Sequence, residues 1–307
     1  MSGTTQLAVP AQPVTLTSTV PREYVHRTAV AEVFLTGWQP TGPDEFRVTA
    51  QWPRAHAFYG TQHGLYDPLL LCETIRQTFP LLSHAAYHVP FDHHLSWDYL
   101  RYTLRPDVLR VDRAPAEVEL RIKCFDLTRR GNRLAATSMH FQVFLDGTQL
   151  ATATTRFACH SPAVYRRLRE GRADHGPLLH PLLPLAPAVE ASLVGRDRAG
   201  DVVLGATDRP GQWELRAELT HPVLFDHPVD HAPGMLLLEA ARQAAQAVTA
   251  DHPTLPTGMD AAFFRYVELD SPCWITAESP DQSHTLVTAR QHDRTVFSAT
   301  LTSHALP

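Results

Sequence analysis

The chain has 307 residues, of which 44% are hydrophobic and 19% charged, enough material for two cores of ordinary domain size. Its formal net charge of −5 argues against a general nucleic-acid binder, which carries a basic surplus. No run approaches the ~20 apolar residues of a membrane-spanning helix, and the first residues lack the basic-then-apolar order of a signal peptide.

Residues 1–23 read as a flexible leader. Asp67 then offers a helix cap, with Pro68 at the first helical position. Leu69, Leu70, Leu71, Cys72 and Ile75 leave that helix little polar face, the pattern of a buried helix. The "DHH" of Asp92 to His94 has no accompanying helix and reads as surface. Residues 118–157 alternate apolar and polar. They break at Gly131-Asn132 and Asp146-Gly147, which predicts antiparallel strands joined by hairpins. Prolines at 177, 181, 184 and 187 predict a linker, bounded here at 166–188.

The second half repeats the first. "DPLLLCETIRQ" (67–77) matches "PGMLLLEAARQ" (233–243), so that Glu73, Arg76 and Gln77 align with Glu239, Arg242 and Gln243 at an offset of 166. "FRVTAQWPRAHAFY" (46–59) resembles "WELRAELTHPVLFD" (213–226), with Phe58 against Phe225. "FDHHLSWDYLRYTL" (91–104) aligns loosely with "MDAAFFRYVELDSP" (259–272). A second helix begins near Pro233, and "SHTLVTARQ" and "RTVFSATLTS" close the chain as strands. A repeat this long is a duplicated domain. One buried helix wrapped by a curved antiparallel sheet, twice over, predicts an α+β tandem double hotdog. The sheets join edge to edge and the helices lie side by side. The halves span 24–165 and 189–307.

The helices carry the chemistry. An exposed i,i+3 pair between Glu239 and Arg242 would contribute only about 0.2–0.5 kcal/mol, but these helices have almost no exposed face. A buried carboxylate with a raised pKa suits a general base, which selects Glu239 and Glu73. Arg242 and Arg76 can neutralise the glutamates or fork a phosphate, and Gln243 and Gln77 can orient either group. His227 and His231 lie in "FDHPVDHAPG" (225–234) and suit a proton shuttle or a hydroxyl contact. Pro228 and the lack of a third-ligand motif argue against a metal. His63 is their partial counterpart in the first half. Gly234 would let a thioester approach free N–H groups at the helix start, an oxyanion site that Pro68 cannot offer. Cys72 aligns with Leu238 and reads as a small core residue. The four cysteines lack CxxC spacing, which suits a reducing cytoplasm.

These segments, with "VFLTGW" and "FFRYVELDSP", resemble the A-factor biosynthesis hotdog family, which makes γ-butyrolactone signals in filamentous actinobacteria. The resemblance covers about residues 24–305. It implies an acyltransferase that moves a 3-oxoacyl group from an acyl-carrier-protein thioester to the hydroxyl of dihydroxyacetone phosphate. It implies no metal or redox cofactor. The chain is also similar to hotdog dehydratases, whose glutamate follows the Pro of Pro-Gly by six residues, as Glu239 follows Pro233. Their histidine lies further upstream than His227 or His231. The alternatives are a hotdog dehydratase or thioesterase acting on acyl thioesters, and a non-catalytic protein that captures an acyl ligand. Carrier docking would need a basic patch, with "YRRLREGR" (165–172) and "TRRGNR" (128–133) as candidates. A double hotdog pairs internally, so a monomer or loose homodimer is expected.

Overall fold

The computed structural model describes residues 18–170, 172, 183–249 and 253–306. The first half contains β1 (Leu35–Gly42), β2 (Glu45–Trp52), α1 (Pro68–Ala85), β3 (His94–Leu104), β4 (Ala116–Arg130), β5 (Arg133–Leu145) and β6 (Thr148–His160). A short helix, α2 (Pro162–Leu168), follows. The second half contains β7 (Leu204–Gly205), β8 (Gln212–Leu215), α3 (Gly234–Val248), β9 (Thr254–Phe263), β10 (Trp274–Glu278), β11 (His284–Gln291) and β12 (Arg294–Ala305).

All twelve strands form one antiparallel sheet in the order β1-β2-β4-β5-β6-β3-β9-β12-β11-β10-β8-β7. The second six mirror the first, so the sheet reads the same from either edge. The halves meet where β3 pairs with β9, from Tyr99 opposite Ala262 to Thr103 opposite Gly258. This is the double hotdog expected from the sequence.

The helices form where the capping signals put them. Asp67 accepts the Leu69 N–H at 2.8 Å at the start of α1. Only Arg76 and Ala85 of α1 escape burial, so its apolar residues lose nearly all their water, worth about 1.5–3 kcal/mol for each large side chain. α3 begins at Gly234 with Pro233 as its N-cap, and it packs against α1. Both predicted hairpin turns are present. At Asp146-Gly147, φ is positive at both positions (46° and 81°), the twist that a tight hairpin needs.

Three expectations need correction. The β2-to-helix loop was aligned two residues out of register. The Nδ1 of His56 accepts the N–H groups of Phe58 and Tyr59, while His221 Nδ1 accepts those of Val223 and Leu224. Phe58 therefore corresponds to Val223, not Phe225. The partner of β3 is β9, starting at Thr254, so 259–272 is mostly the loop that follows it. The 165/166 boundary falls inside α2. Residues 1–17 of the leader and 171 and 173–182 of the linker lie outside the described residues. Within the described part of the leader, Val20 is buried and Arg22–Val25 form a 3-10 turn. No described helix is long and apolar enough to cross a membrane.

Candidate active site

Two charged nests sit at the centre of the molecule, one on each helix. Glu239 is fully buried. Its Oε1 accepts from Arg196 Nε at 2.9 Å, Arg242 Nη2 at 2.7 Å, and Gln243 Nε2. Its Oε2 accepts from Arg242 Nε at 2.9 Å, with Arg196 Nη2 at 2.7 Å. Glu73 repeats the plan with Arg27, Arg76 and Gln77. Each glutamine uses its remaining atoms on backbone. Gln77 binds Glu32 O and Phe34 N–H, and Gln243 binds Asp201 O and Val203 N–H.

The raised pKa from which a general base was expected is not what these contacts produce. Burial alone would push both carboxyls up, but two arginines beside each outweigh it and hold both near 2. Four hydrogen bonds and the Arg196 ion pair surround the Glu239 carboxylate. Such a group stays ionised and has no free site for a substrate proton. The second arginine of each nest decides the sign, and the sequence reading missed it. Its signal is a second repeat, "HRTAVAE" (26–32) against "GRDRAGD" (195–201), which sets Arg27 and Arg196 five residues before an acid.

Arg27 and Arg196 also reach across the molecule. Arg27 Nη1 donates to Val223 O of the second half at 3.1 Å, and Arg196 Nη1 donates to Phe58 O of the first at 2.6 Å. The second-half loop is further clamped because Asp226 accepts the N–H groups of Thr28 and Ala29. This puts His227 over the first-half nest, near Arg27, Arg76 and His26. Burial, then His84 and Arg76, drives the His26 imidazole down to about 3. Burial first, against the pull of Asp226, also lowers His227. Over the second nest Gly195 stands where His26 does and Gln62 where His227 does, and Gln62 donates to the Gly195 carbonyl. Arg76 is the more open guanidinium, with 20% of its side chain exposed against 8% for Arg242. His63 is exposed at a loop tip and joins neither nest.

His231 lies at the approach to α3. Its Nδ1 is 2.7 Å from Asp230 Oδ1, and Tyr165 Oη donates to both Asp230 oxygens at 2.8 and 2.9 Å. Arg169 binds Asp230 at 3.0 Å and Glu268 at 2.7 Å, and stacks over Tyr266, whose ring meets His231 edge-on at 4.7 Å. Burial tends to raise the Asp230 carboxyl, but His231, Tyr165 and Arg169 together hold it well below the usual range. His94 stacks on Tyr165 at 3.8 Å and lies near His231 and Asp230. The "DHH" therefore divides: Asp92 and His94 are exposed as expected, and His93 is buried. Arg169 is 2% exposed and structural and Arg172 donates to Asp270 at 2.8 Å, so the fully exposed arginines of the 165–172 patch are Arg166 and Arg167.

The two helix starts differ. Asp67 caps α1, whereas no side chain caps α3, and Gly234 keeps the N–H that Pro68 lacks. The close approach allowed by Gly234 is made by an aromatic ring. A Cβ there would lie 3.0 Å from Cε3 of Trp97, which stacks on Phe263 at 4.9 Å. Cys72 is buried with its thiol pushed far up by burial, as a core residue would be. Among the described residues, no group of three or more His, Cys, Asp and Glu is arranged to hold a metal ion.

The family described as A-factor biosynthesis hotdog domain matches residues 10–161 and 180–307. A 2-oxo-3-(phosphooxy)propyl 3-oxoalkanoate synthase of Streptomyces virginiae is 52% identical over 289 residues, covering 92% of this chain and 97% of that protein. A synthase of the same name from Streptomyces coelicolor is 43% identical, covering 93% and 92%. Among solved structures, an acyl-ACP thioesterase from Bacteroides thetaiotaomicron shares the fold. Its TM-score is 0.50 at 9% identity, covering 84% of this chain and 98% of that one.

Proposed function

The chain belongs to the A-factor biosynthesis hotdog family, and from that membership we propose that it is an acyltransferase of γ-butyrolactone signal biosynthesis. It moves a 3-oxoacyl group from an acyl-carrier-protein thioester to the hydroxyl of dihydroxyacetone phosphate. The observation that carries this reading is the 52% identical relative, matched along nearly its whole length. The product in that relative's name is an ester of a 3-oxoalkanoate with a 2-oxo-3-(phosphooxy)propyl group. Dihydroxyacetone phosphate supplies that group through its free hydroxyl.

In this reading the proton work falls to His231. Asp230 takes the Nδ1 hydrogen bond, which leaves Nε2 as the base for the acceptor hydroxyl. The hydroxyl oxygen attacks the thioester carbonyl, and the uncapped amides at Gly234 and Met235 hold the oxyanion. The C–S bond breaks and the thiolate takes the proton back from His231. A single oxyanion donor of this kind is worth about 3 kcal/mol. Arg76, with His227 beside it, receives the phosphate. Glu73 and Glu239 are positioning residues: with Gln77 and Gln243 they fix the paired arginines, and Arg242 is committed to its nest. Arg166 and Arg167, beside Tyr165 on α2, meet the acidic carrier. The enzyme works in a reducing cytoplasm as a monomer or loose homodimer.

The test is to mix purified protein with a 3-oxoacyl-carrier thioester and dihydroxyacetone phosphate. Ester formation that depends on both substrates supports transfer. Release of free acid at the same rate with and without acceptor would mean hydrolysis, and binding without turnover would mean capture.

A further inference from the structure

The two halves differ most where the first is plugged and the second is open. In the first half, Trp52 and Tyr66 fill the space between the end of β2 and the start of α1. Both are at most 1% exposed, and their rings meet at 5.5 Å. Trp52 Nε1 donates to Thr74 Oγ1 at 2.8 Å. The counterparts can be assigned from hydrogen bonds. Trp52 stands four residues before His56, and Ala217 four before the equivalent His221. Tyr66 N–H donates to Leu109 O and Ala232 N–H to Val267 O, each at 2.9 Å. Thr74 follows Glu73 as Ala240 follows Glu239. Trp, Tyr and Thr have thus become Ala, Ala and Ala.

A cavity of about 210 Å³ lies at Ala217 and Ala232. Leu185 of the linker, Leu219, Val267 and Leu269 complete its apolar wall. Glu268 lines it as well, and Glu268 binds the Arg169 that holds Asp230, the partner of His231. Glu268 therefore links the cavity's lining to the proton-transfer pair through Arg169.

We propose that this cavity receives the distal carbons of the acyl chain and sets the chain length the enzyme accepts. The choice of ligand rests on the acyl-transfer reading. The lining is mostly apolar and its charged residues are Glu214, Glu218 and Glu268, so it repels the phosphate of an acceptor and accepts a hydrocarbon. A dry apolar cavity of ~150 Å³ takes benzene, so one of about 210 Å³ takes roughly eight carbons. Each buried methylene is worth about fourfold in affinity.

The experiment measures binding of butanoyl, octanoyl and decanoyl N-acetylcysteamine thioesters by calorimetry, without acceptor, to wild type, Ala217→Val and Ala217→Phe. Wild type is expected to gain about fourfold per methylene between four and eight carbons. Ala217→Phe, which refills the space taken by Trp52 in the first half, removes about three methylenes' room. It should weaken octanoyl and decanoyl binding roughly 50-fold and butanoyl binding less than twofold. Ala217→Val should fall between, and it carries the test if the larger ring prevents folding. Equal loss at every chain length, or unchanged length dependence in both variants, overturns the proposal. Because no acceptor is present, failure of ester formation in the transfer assay would sink the transferase reading without touching this result.

Discussion

Replacing Glu239 with Gln removes one negative charge and leaves Arg196 and Arg242 facing a neutral amide. Their side chains are 5% and 8% exposed, so water cannot take over the solvation. Removing one partner of a buried pair costs about 3–5 kcal/mol. Arg196 and Arg242 hold the carboxyl down against the opposing pull of burial, which gives the loss the same sign. At roughly 2 °C per kcal/mol for a chain of this size, the midpoint of thermal unfolding should fall by about 6–10 °C. The second quantity to measure is ester formation per folded molecule, well below the new midpoint. A positioning residue predicts a loss within about tenfold, because the amide still bonds one arginine and Gln243 can turn. Loss of a general base predicts ~10²–10⁴-fold. An unchanged midpoint with turnover down a thousandfold would refute the anchoring role and restore Glu239 as the base.

The same nests make the protein acid-sensitive. Glu73 and Glu239 have folded-state values below their unfolded ones, so their stabilisation is full above about pH 4.5 and is lost as pH falls towards 2. It should amount to about 3 kcal/mol for each; urea midpoints at pH 7, 4.5 and 3 will show whether Glu239→Gln flattens that fall. His231→Ala should lower turnover by about 10²–10⁴-fold while moving the thermal midpoint by no more than a few degrees, since this imidazole is a quarter exposed. Reversing Arg166 and Arg167 to Glu should slow transfer from carrier-bound donor and leave transfer from a small thioester unchanged. Reversing Arg169 should instead unfold the protein, because it would set a third carboxylate against Asp230 and Glu268.

The sequence made the duplication legible because its strongest signal lies in two helices that are buried nearly all round. An almost wholly apolar helix bearing Glu, Arg and Gln at fixed places leaves a pattern that survives divergence. The turn at Asp146-Gly147 and the cap at Asp67 were legible for the same local reason. Strand register was not, because the loops around β2 and β8 changed length independently of the helices. The glutamates were found, but the direction of their pKa shift was inverted. Whether a buried carboxyl is raised or lowered depends on how many cations surround it. Arg27 and Arg196 arrive from segments some forty residues upstream of their glutamates, which no helical spacing reveals. His231 was singled out, and Arg169 only within a basic patch; Tyr165 of α2, Arg169 at its end and Tyr266 of a distant loop meet His231 only through the fold.

The junction of β3 with β9 has a consequence for inheritance. When two identical subunits pair across such an edge, every substitution occurs twice, and a residue that opens one side must open the other. Joined in one chain, the two copies are free to specialise. One can keep a tryptophan as ballast while the other hollows itself to alanine, and each still leans on its neighbour through Arg27 and Arg196. The price of that freedom is dependence: a half cut from the chain would lose the carbonyl that its partner lends to its central arginine.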